Sequence, residues 1–353
     1  MTRKNLLYCC IKRSSFVERD IAIFSAGYHV SVFARAAPKP VNMAGYLFFQ
    51  FFFLLQKIWK ADLLVCQFAG HHSLLPVLFG KLFRRPVLLI PGGSDCVSFP
   101  SFSYGQFRKP LLAKTTCWSY RNATHLAPVD ESLLFCNYTY SDRDFPSQGI
   151  RYFCEGLRTP ATVIHNGYEA DTFFPQNESR MPRSFLTVAG GCETEVVFRR
   201  KGIDLLLELA AFMPECRFTI AGSQQLPVEH LPGNVEVHPF VPHDQLPALM
   251  SRYEFYLQLS RCEGFPNALC EAMLCGCVPI VSQVAAMPLI AGESGFVLSR
   301  ADVSLLNALV KKAVTADIKS RSMQARQRIA ENFTLAKRQE ALLRLAGQLI
   351  AQR

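Results

Sequence analysis

The feature that most constrains this chain is a pattern that runs twice. Short apolar runs alternate with segments of helical period, first from Asn5 and again from Phe185. In the first half, Asn5–Ile11 reads as a strand, Val17–Ala26 as a helix and His29–Ala34 as a strand. A Phe-rich helix over Ala44–Leu55, a strand at Asp62–Gln67, a helix near Leu74–Phe83 and a strand at Pro86–Ile90 follow. Such alternation predicts a parallel sheet with helices on both faces. Ligands of these sheets gather beyond the carboxyl ends of the strands, where the segments beginning at Lys12, Phe68 and Pro91 fall.

From Asp171 to Ser184 the chain reads DTFFPQNESRMPRS, polar and with two prolines, which is a linker signal. The alternation then restarts: strand Phe185–Ala189, helix Ile203–Phe212, strands Arg217–Ala221 and Val235–Phe240, helix Leu246–Tyr253, strand Phe255–Leu259, helix Ala268–Cys275 and strand Val278–Ser282. The tail from Asp302 is helical. The fold class is therefore α/β, with two doubly wound domains facing each other across a cleft.

Composition narrows the classes further. Half of the 353 residues are hydrophobic and 19% are charged, which excludes disorder and leaves a large core. The apolar run from Leu6 is stopped by Lys12 and Arg13, too early for a secretory signal. The apolar stretch Ala44–Leu55 falls short of the roughly 20 residues that a spanning helix needs. Its two readings are a helix packed on the sheet, which is favoured, and an amphipathic edge dipping into a membrane surface. The thirteen cysteines lack paired finger-like spacing and sit in apolar segments such as those of Cys66, Cys270, Cys275 and Cys277. They read as reduced thiols in a cytosolic protein, with no metal site.

The most informative segment is Ser260–Leu298. Glu263 follows a buried strand, Gly264-Phe265-Pro266-Asn267 make a turn, and a helix begins near Ala268. A helix start presents unpaired N–H groups and a positive dipole end, which suits a phosphate. Glu271 lies in the first or second turn of that helix, eight residues from Glu263 and able to face the same pocket. Gly-Phe-Pro-Asn between two glutamates, then Glu-Ala-Met, Val-Pro-Ile-Val and Glu-Ser-Gly, resembles the donor site of family 4 glycosyltransferases, retaining enzymes of GT-B fold. Val163–Tyr168 resembles the entry to the second domain, Lys201-Gly202 the Lys-Gly motif, and Arg328–Phe333 the start of the closing helices. In the first domain, Gly92-Gly93-Ser94-Asp95 and Tyr104-Gly105 resemble the pattern of some bacterial members. The domains expected are 1–172 on the acceptor side, a linker over 173–184, a donor domain over 185–330, and a helix over 331–353 returning to the first domain.

By this resemblance, Glu263 is the catalytic residue, contacting hydroxyls of the transferred sugar, and Glu271 holds the ribose. The turn Gly264-Phe265 and the backbone N–H groups near Asn267, Ala268 and Leu269 take the diphosphate of a nucleotide-sugar donor. Lys201 adds a cation there, with Arg199 or Arg200 beside it. Gly190-Gly191 stand where many members have Gly-Arg, so one of those two arginines would have to fold back in its place. Gly92 and Gly93 permit close approach of backbone to ligand, and Asp95 either bonds a sugar or caps a turn. His71 and His72 are the first-domain histidines that could stand in for one that many relatives carry. No metal or other cofactor is implied.

The activity implied is transfer of a sugar, with retained configuration, to a glycan or lipid-linked acceptor in cell-surface polysaccharide synthesis. The alternatives are a silent sugar-nucleotide-binding protein of the same fold and another GT-B enzyme such as an epimerase. Residues 1–180 hold 20 Lys and Arg against 12 acids, so nearly all of the formal charge of +10 lies in the first domain. With the Phe-rich stretch, Lys57 and Lys60, that excess points to the inner face of an anionic membrane. No recognisable module supports nucleic-acid binding.

Overall fold

A computed structural model describes residues 3–35, 43–176 and 179–352. The first domain runs β1 (Asn5–Cys10), α1 (Ser15–Gly27), β2 (His29–Ala34), α2 (Met43–Lys57), β3 (Leu63–Gln67), α3 (His71–Leu82), β4 (Val87–Ile90), α4 (Pro110–Asn122) and β5 (His125–Leu126). A small hairpin, β6 (Cys136–Asn137) with β7 (Ser147–Gln148), and the short α5 (Ile150–Phe153) complete it. The five long-sheet strands are parallel, in the order β2-β1-β3-β4-β5. β3 and β4 are buried along their whole length, because helices cover both faces.

The second domain follows as β8 (Met181–Val188), α6 (Glu195–Arg200), α7 (Ile203–Phe212), β9 (Arg217–Ala221), β10 (Val235–His238), α8 (Leu246–Ser251), β11 (Tyr253–Gln258), α9 (Asn267–Leu274), β12 (Val278–Ser282), α10 (Met287–Ala291) and β13 (Phe296–Leu298). Its parallel sheet has the order β10-β9-β8-β11-β12-β13. Phe185 on the central strand stacks on Phe218 at 4.9 Å and on Phe255 at 4.8 Å. Each such pair contributes about 0.5–1.5 kcal/mol beyond its buried area, pinning the register of β8, β9 and β11.

Two expectations need correction, and a third is refined. β8 begins at Met181, inside the span expected as linker, because the Met181 N–H joins the ladder by donating to the Arg252 carbonyl at 2.8 Å. Asn177 and Glu178 of that linker lie outside the described residues. The cysteines are not all reduced: Cys117 in α4 is bonded to Cys154, their Cα atoms 5.3 Å apart. Packing brings these two together across 37 residues of sequence, so the argument from reduced thiols to a cytosolic compartment does not extend to them. The Phe-rich helix does pack on the first domain, but through Tyr46, Gln50 and Leu54, and most of its phenylalanines face outward. Among the described residues, no helix is long and apolar enough to cross a membrane.

Three helices close the chain: α11 (Val303–Val314), α12 (Ile318–Asn332) and α13 (Leu335–Ala351). α13 leaves the second domain and packs on α1, where Leu342, Leu345, Ala346 and Leu349 share a core with Leu6, Tyr8 and Phe24. Arg338 anchors it. Its Nε and Nη2 donate to the two carboxylate oxygens of Asp20 at 2.7 and 2.6 Å, and its Nη1 donates to the carbonyls of Ile164 and His165. Both side chains are buried. Arg338→Met should therefore strand an unpaired carboxylate and cost about 3–5 kcal/mol, read as a lowered urea midpoint. An unchanged midpoint would mean that Asp20 finds another partner.

Candidate active site

In the second sheet the strand order reverses between β8 and β11, so the crevice beyond their carboxyl ends is where a ligand of this fold sits. The chain leaving β11 carries Ser260 to Pro266 across that crevice and into α9. Pro266 caps α9 without a side-chain hydrogen bond, leaving the first-turn N–H groups free of any side-chain acceptor. The loops after β3 and β4 face this turn from the first domain. Together they enclose a cleft of about 260 Å³, with Phe68, Gly92, Gly93 and Ser94 on one side and Lys201, Glu263 to Ala268 on the other.

Glu263 is the best-held group in the cleft. Its Oε1 accepts from Lys201 Nζ at 2.6 Å, Ser260 Oγ at 2.9 Å and Gln258 Nε2 at 3.2 Å. Its Oε2 accepts no hydrogen bond from the described residues. Burial pushes the carboxyl pKa up, but Lys201 and Arg200 outweigh it and hold it below the ordinary carboxylate value. The anion is thus fixed by one oxygen and free at the other.

Lys201 reaches this position because of the glycine after it. Gly202 has φ +69°, and a methyl group there would overlap the Leu259 carbonyl, so the α6–α7 junction presses directly on the end of β11. A second close approach joins the domains. A methyl group on Gly264 would overlap the Gly92 carbonyl oxygen, and Gly93 packs against the Gly264 amide.

Arg200 and Arg199 part company. Arg200 lines the cleft with its guanidinium 4.9 Å over the Tyr104 ring of the first domain, and its buried Nε has no partner among the described residues. Arg199 pairs instead with Glu195 on the surface. Asn267 starts α9, and its Oδ1 accepts from Tyr168 Oη at 2.7 Å and Asn166 Nδ2 at 3.3 Å. Phe265 and Ala268 also line the cleft.

Other expected residues fall elsewhere. Glu271 is buried but does not line this cleft. Its Oε1 meets His243 Nε2 at 3.1 Å and Arg19 of α1 at 3.4 Å. The hydrogen bond to Glu271 raises the His243 pKa. The Leu269 side chain is wholly buried in the core, and its backbone N–H, the group expected to bind, belongs to the first turn of α9. Gly190 and Gly191 follow β8, Gly190 beside Gly222, and neither lines the cleft. Asp95 is a turn organiser. Its Oδ1 accepts from the Gly92 and Gly93 amides, its Oδ2 from the Ala69 amide and Tyr120 Oη, and the residue is fully buried. It shapes the glycine loop and does not face a ligand. His72 is buried against the Gln67 carbonyl and His71 pairs with Thr115, so neither faces the cleft. The sequence reading did not include Phe16, Gln67, Asn166 and Gln258 on the cleft wall, or Arg19 and His243 on Glu271. Asn166, inside the His-Asn-Gly-Tyr segment, is the one that a motif could have signalled.

The family described as glycosyl transferases group 1 matches residues 194–332. The matched segment is thus similar to a glycosyltransferase group 1 domain. It holds α6 with Arg200, the Lys201-Gly202 junction, Glu263 and the start of α9. Over 146 residues the chain is 34% identical to a GDP-mannose:cellobiosyl-diphosphopolyprenol alpha-mannosyltransferase of Xanthomonas oryzae, covering 38% of this chain and 37% of that protein. Over 128 residues it is 27% identical to one component of the phosphatidylinositol N-acetylglucosaminyltransferase of Arabidopsis thaliana, covering 33% of this chain and 29% of that protein. The matched part thus spans little more than a third of these curated relatives at most. Among solved structures, a sucrose-phosphate synthase from Thermosynechococcus elongatus aligns over 99% of this chain and 100% of its own, with TM-score 0.75 and 15% identity. The Anabaena protein HepE, solved with UDP and glucose, aligns over 98% and 100%, with TM-score 0.70 and 13% identity. The fold is GT-B.

Two outcomes test the geometry of the cleft. Lys201→Met should leave Glu263 with its burial and lose the stronger cation, so its pKa rises. The stabilisation of the charged carboxylate is present above its unfolded pKa and is lost as pH falls through the folded one, and breaking the pair near neutrality costs about 3–5 kcal/mol. Urea midpoints of the variant and wild type should accordingly differ near neutrality and converge in acid. Gly264→Ala sets a methyl group between the domains and not inside either core. It should melt near the wild-type temperature yet lose nucleotide-sugar affinity by on the order of a hundredfold in calorimetric titration.

Proposed function

We propose that the chain is a retaining glycosyltransferase of family 4 type, moving a sugar from a nucleotide-diphosphate donor to a glycan or lipid-linked acceptor in cell-surface glycoconjugate synthesis. The observation that carries this reading is the Lys201–Glu263 pair beside the uncapped start of α9, in a cleft that the Gly92-Gly93 loop covers. Breaking the bond between the anomeric carbon and the diphosphate leaves negative charge on the diphosphate. Lys201, Arg200 and the first N–H groups of α9 are fixed positive groups that stabilise such charge without reorganising. These cations supply the neutralisation, and the reading involves no cofactor.

The free Oε2 of Glu263 accepts from a sugar hydroxyl and orients the ring, while Lys201 holds the carboxylate still. The acceptor oxygen then attacks on the face that the diphosphate leaves. Its proton passes to the departing phosphate oxygen, so the new carbon–oxygen bond forms as the old one breaks and no protein base is required. Double displacement would need a second carboxylate near the reacting carbon. Among the described residues lining the cleft, Glu263 is the one carboxylate, and it is already paired with Lys201. Glu271, with Arg19 and His243, holds the nucleotide ribose on this reading once the cleft admits the donor.

Both curated relatives are named for lipid-carried acceptors, a diphosphopolyprenol and a phosphatidylinositol. Those names support a lipid-linked acceptor here. With the basic first domain, they favour a cytoplasmic protein working on the inner face of the cell membrane. A panel of GDP-mannose, UDP-N-acetylglucosamine and UDP-glucose, followed by transfer and slow donor hydrolysis, tests the reading. Glu263→Ala should lower transfer by on the order of a thousandfold while staying folded, with a melting temperature lowered by the loss of the Lys201 pair. Wild-type activity in that variant would place the site elsewhere. Donor binding without turnover by the wild type would favour a silent binding protein.

A further inference from the structure

α2 is patterned inside out for a surface helix. The stripe turned toward the domain is Tyr46, Gln50 and Leu54, continued by Ile58, and it includes a glutamine whose Nε2 donates to the His72 carbonyl at 2.8 Å. The face turned to solvent carries Phe48, Phe49, Phe51, Phe52, Leu55 and, in the following turn, Trp59; Phe48 is 59% exposed and Trp59 64%. The rings are continuous. Phe48 and Phe52 are 4.7 Å apart, Phe51 packs edge-on against Phe79 at 5.5 Å, and Trp59 against Phe83 at 4.7 Å. Exposed Leu78 and Leu82 of α3 extend the face. A contiguous apolar surface of this extent marks contact with another apolar phase.

The border of the face has one sign. Between Ile21 and Ile90 the sequence holds seven Lys and Arg and a single acid, Asp62. The Arg35 guanidinium lies 3.9 Å over the Phe49 ring and Lys57 Nζ 5.9 Å over that of Phe53, so cations stand beside the rings. Lys60, Lys81 and Arg84 are exposed nearby. An aromatic centre with a cationic border matches a layer of anionic headgroups above acyl chains. Rings of an interfacial helix enter that boundary by about 5–10 Å, tryptophan sits at headgroup level, and Lys and Arg meet the phosphates. A second copy of the chain would bring this border against itself, cation to cation.

We propose that the outer face of α2, with Trp59 and the C-terminal end of α3, docks the chain on an anionic phospholipid surface. This names the surface for the membrane contact in the proposed function. Its test reads binding and not transfer, so the two ideas can fail separately. The protein would be sedimented with vesicles of phosphatidylcholine alone and of phosphatidylcholine mixed with phosphatidylglycerol. Wild type should be retained on the anionic vesicles about tenfold better, and Lys57→Glu/Lys60→Glu should lose that preference. Phe48→Ser/Phe52→Ser should lose retention altogether while melting as wild type does, because both side chains are exposed. Brominated acyl chains should quench fluorescence in the wild type and not in Trp59→Phe. Equal retention on neutral and anionic vesicles, undiminished retention in the variants, or no quenching would each overturn the proposal. A solution dimer that the serine variant separates, without vesicle retention, would overturn it in favour of a second copy.

Discussion

The cleft depends on a place where the backbone comes bare. At Gly264 the second domain meets the Gly92 carbonyl with no room for a side chain, and at Gly202 the helix junction meets the Leu259 carbonyl in the same way. The first contact sets the distance between the domains, and the second sets the distance between Lys201 and Glu263. A side chain at Gly264 would hold the domains apart, and one at Gly202 would push the helix junction off the end of β11, so that the 2.6 Å ion pair could not form in its present place.

What the two contacts enclose is electrostatically lopsided. Lys201 and Arg200 bring two cations to a carboxylate that accepts from only one of them, and the guanidinium Nε of Arg200 is buried without an acceptor among the described residues. An orphaned donor of this kind costs about 1–3 kcal/mol. The cleft therefore carries a standing positive excess beside the helix start of α9. Asp95 serves the same arrangement from behind. It spends both carboxylate oxygens on amides and a hydroxyl, so the glycine loop it shapes presents backbone and no charge.

Elements whose pattern is set locally were legible in the sequence. The strands His29–Ala34, Arg217–Ala221 and Val278–Ser282 and the helix Ile203–Phe212 have the bounds expected, because apolar runs and the helical period state them directly. Glu263 and Lys201, which the motif order put at one site, line one cleft, but their direct pairing was not part of that expectation. Helix α4 had no counterpart, since KTTCWSYRN offers little apolar period and is held by Tyr120 and Cys117 packing against distant partners. The partners of Glu271 were out of reach for a similar reason, because Arg19 is 252 residues away and meets it only when the domains do. Periodicity placed α2 correctly but could not say which of its faces was inside. A run with so many phenylalanines is apolar all round, and the stripe that is buried is the one holding Gln50, bonded to the His72 carbonyl.

The chain crosses between the domains twice, once near Tyr168 and once near Thr334, and the two crossings are bonded side by side. The Tyr168 amide donates to the Phe333 carbonyl and the Leu335 amide to that of Tyr168, both at 2.9 Å. Two threads sewn together in this way make one seam. Opening the cleft is then a rotation about a single line, and displacement grows with distance from it. Asn267, tied to Tyr168 on that line, travels least. The beginning of α9 is thus the fixed point from which the rest of the cleft is measured.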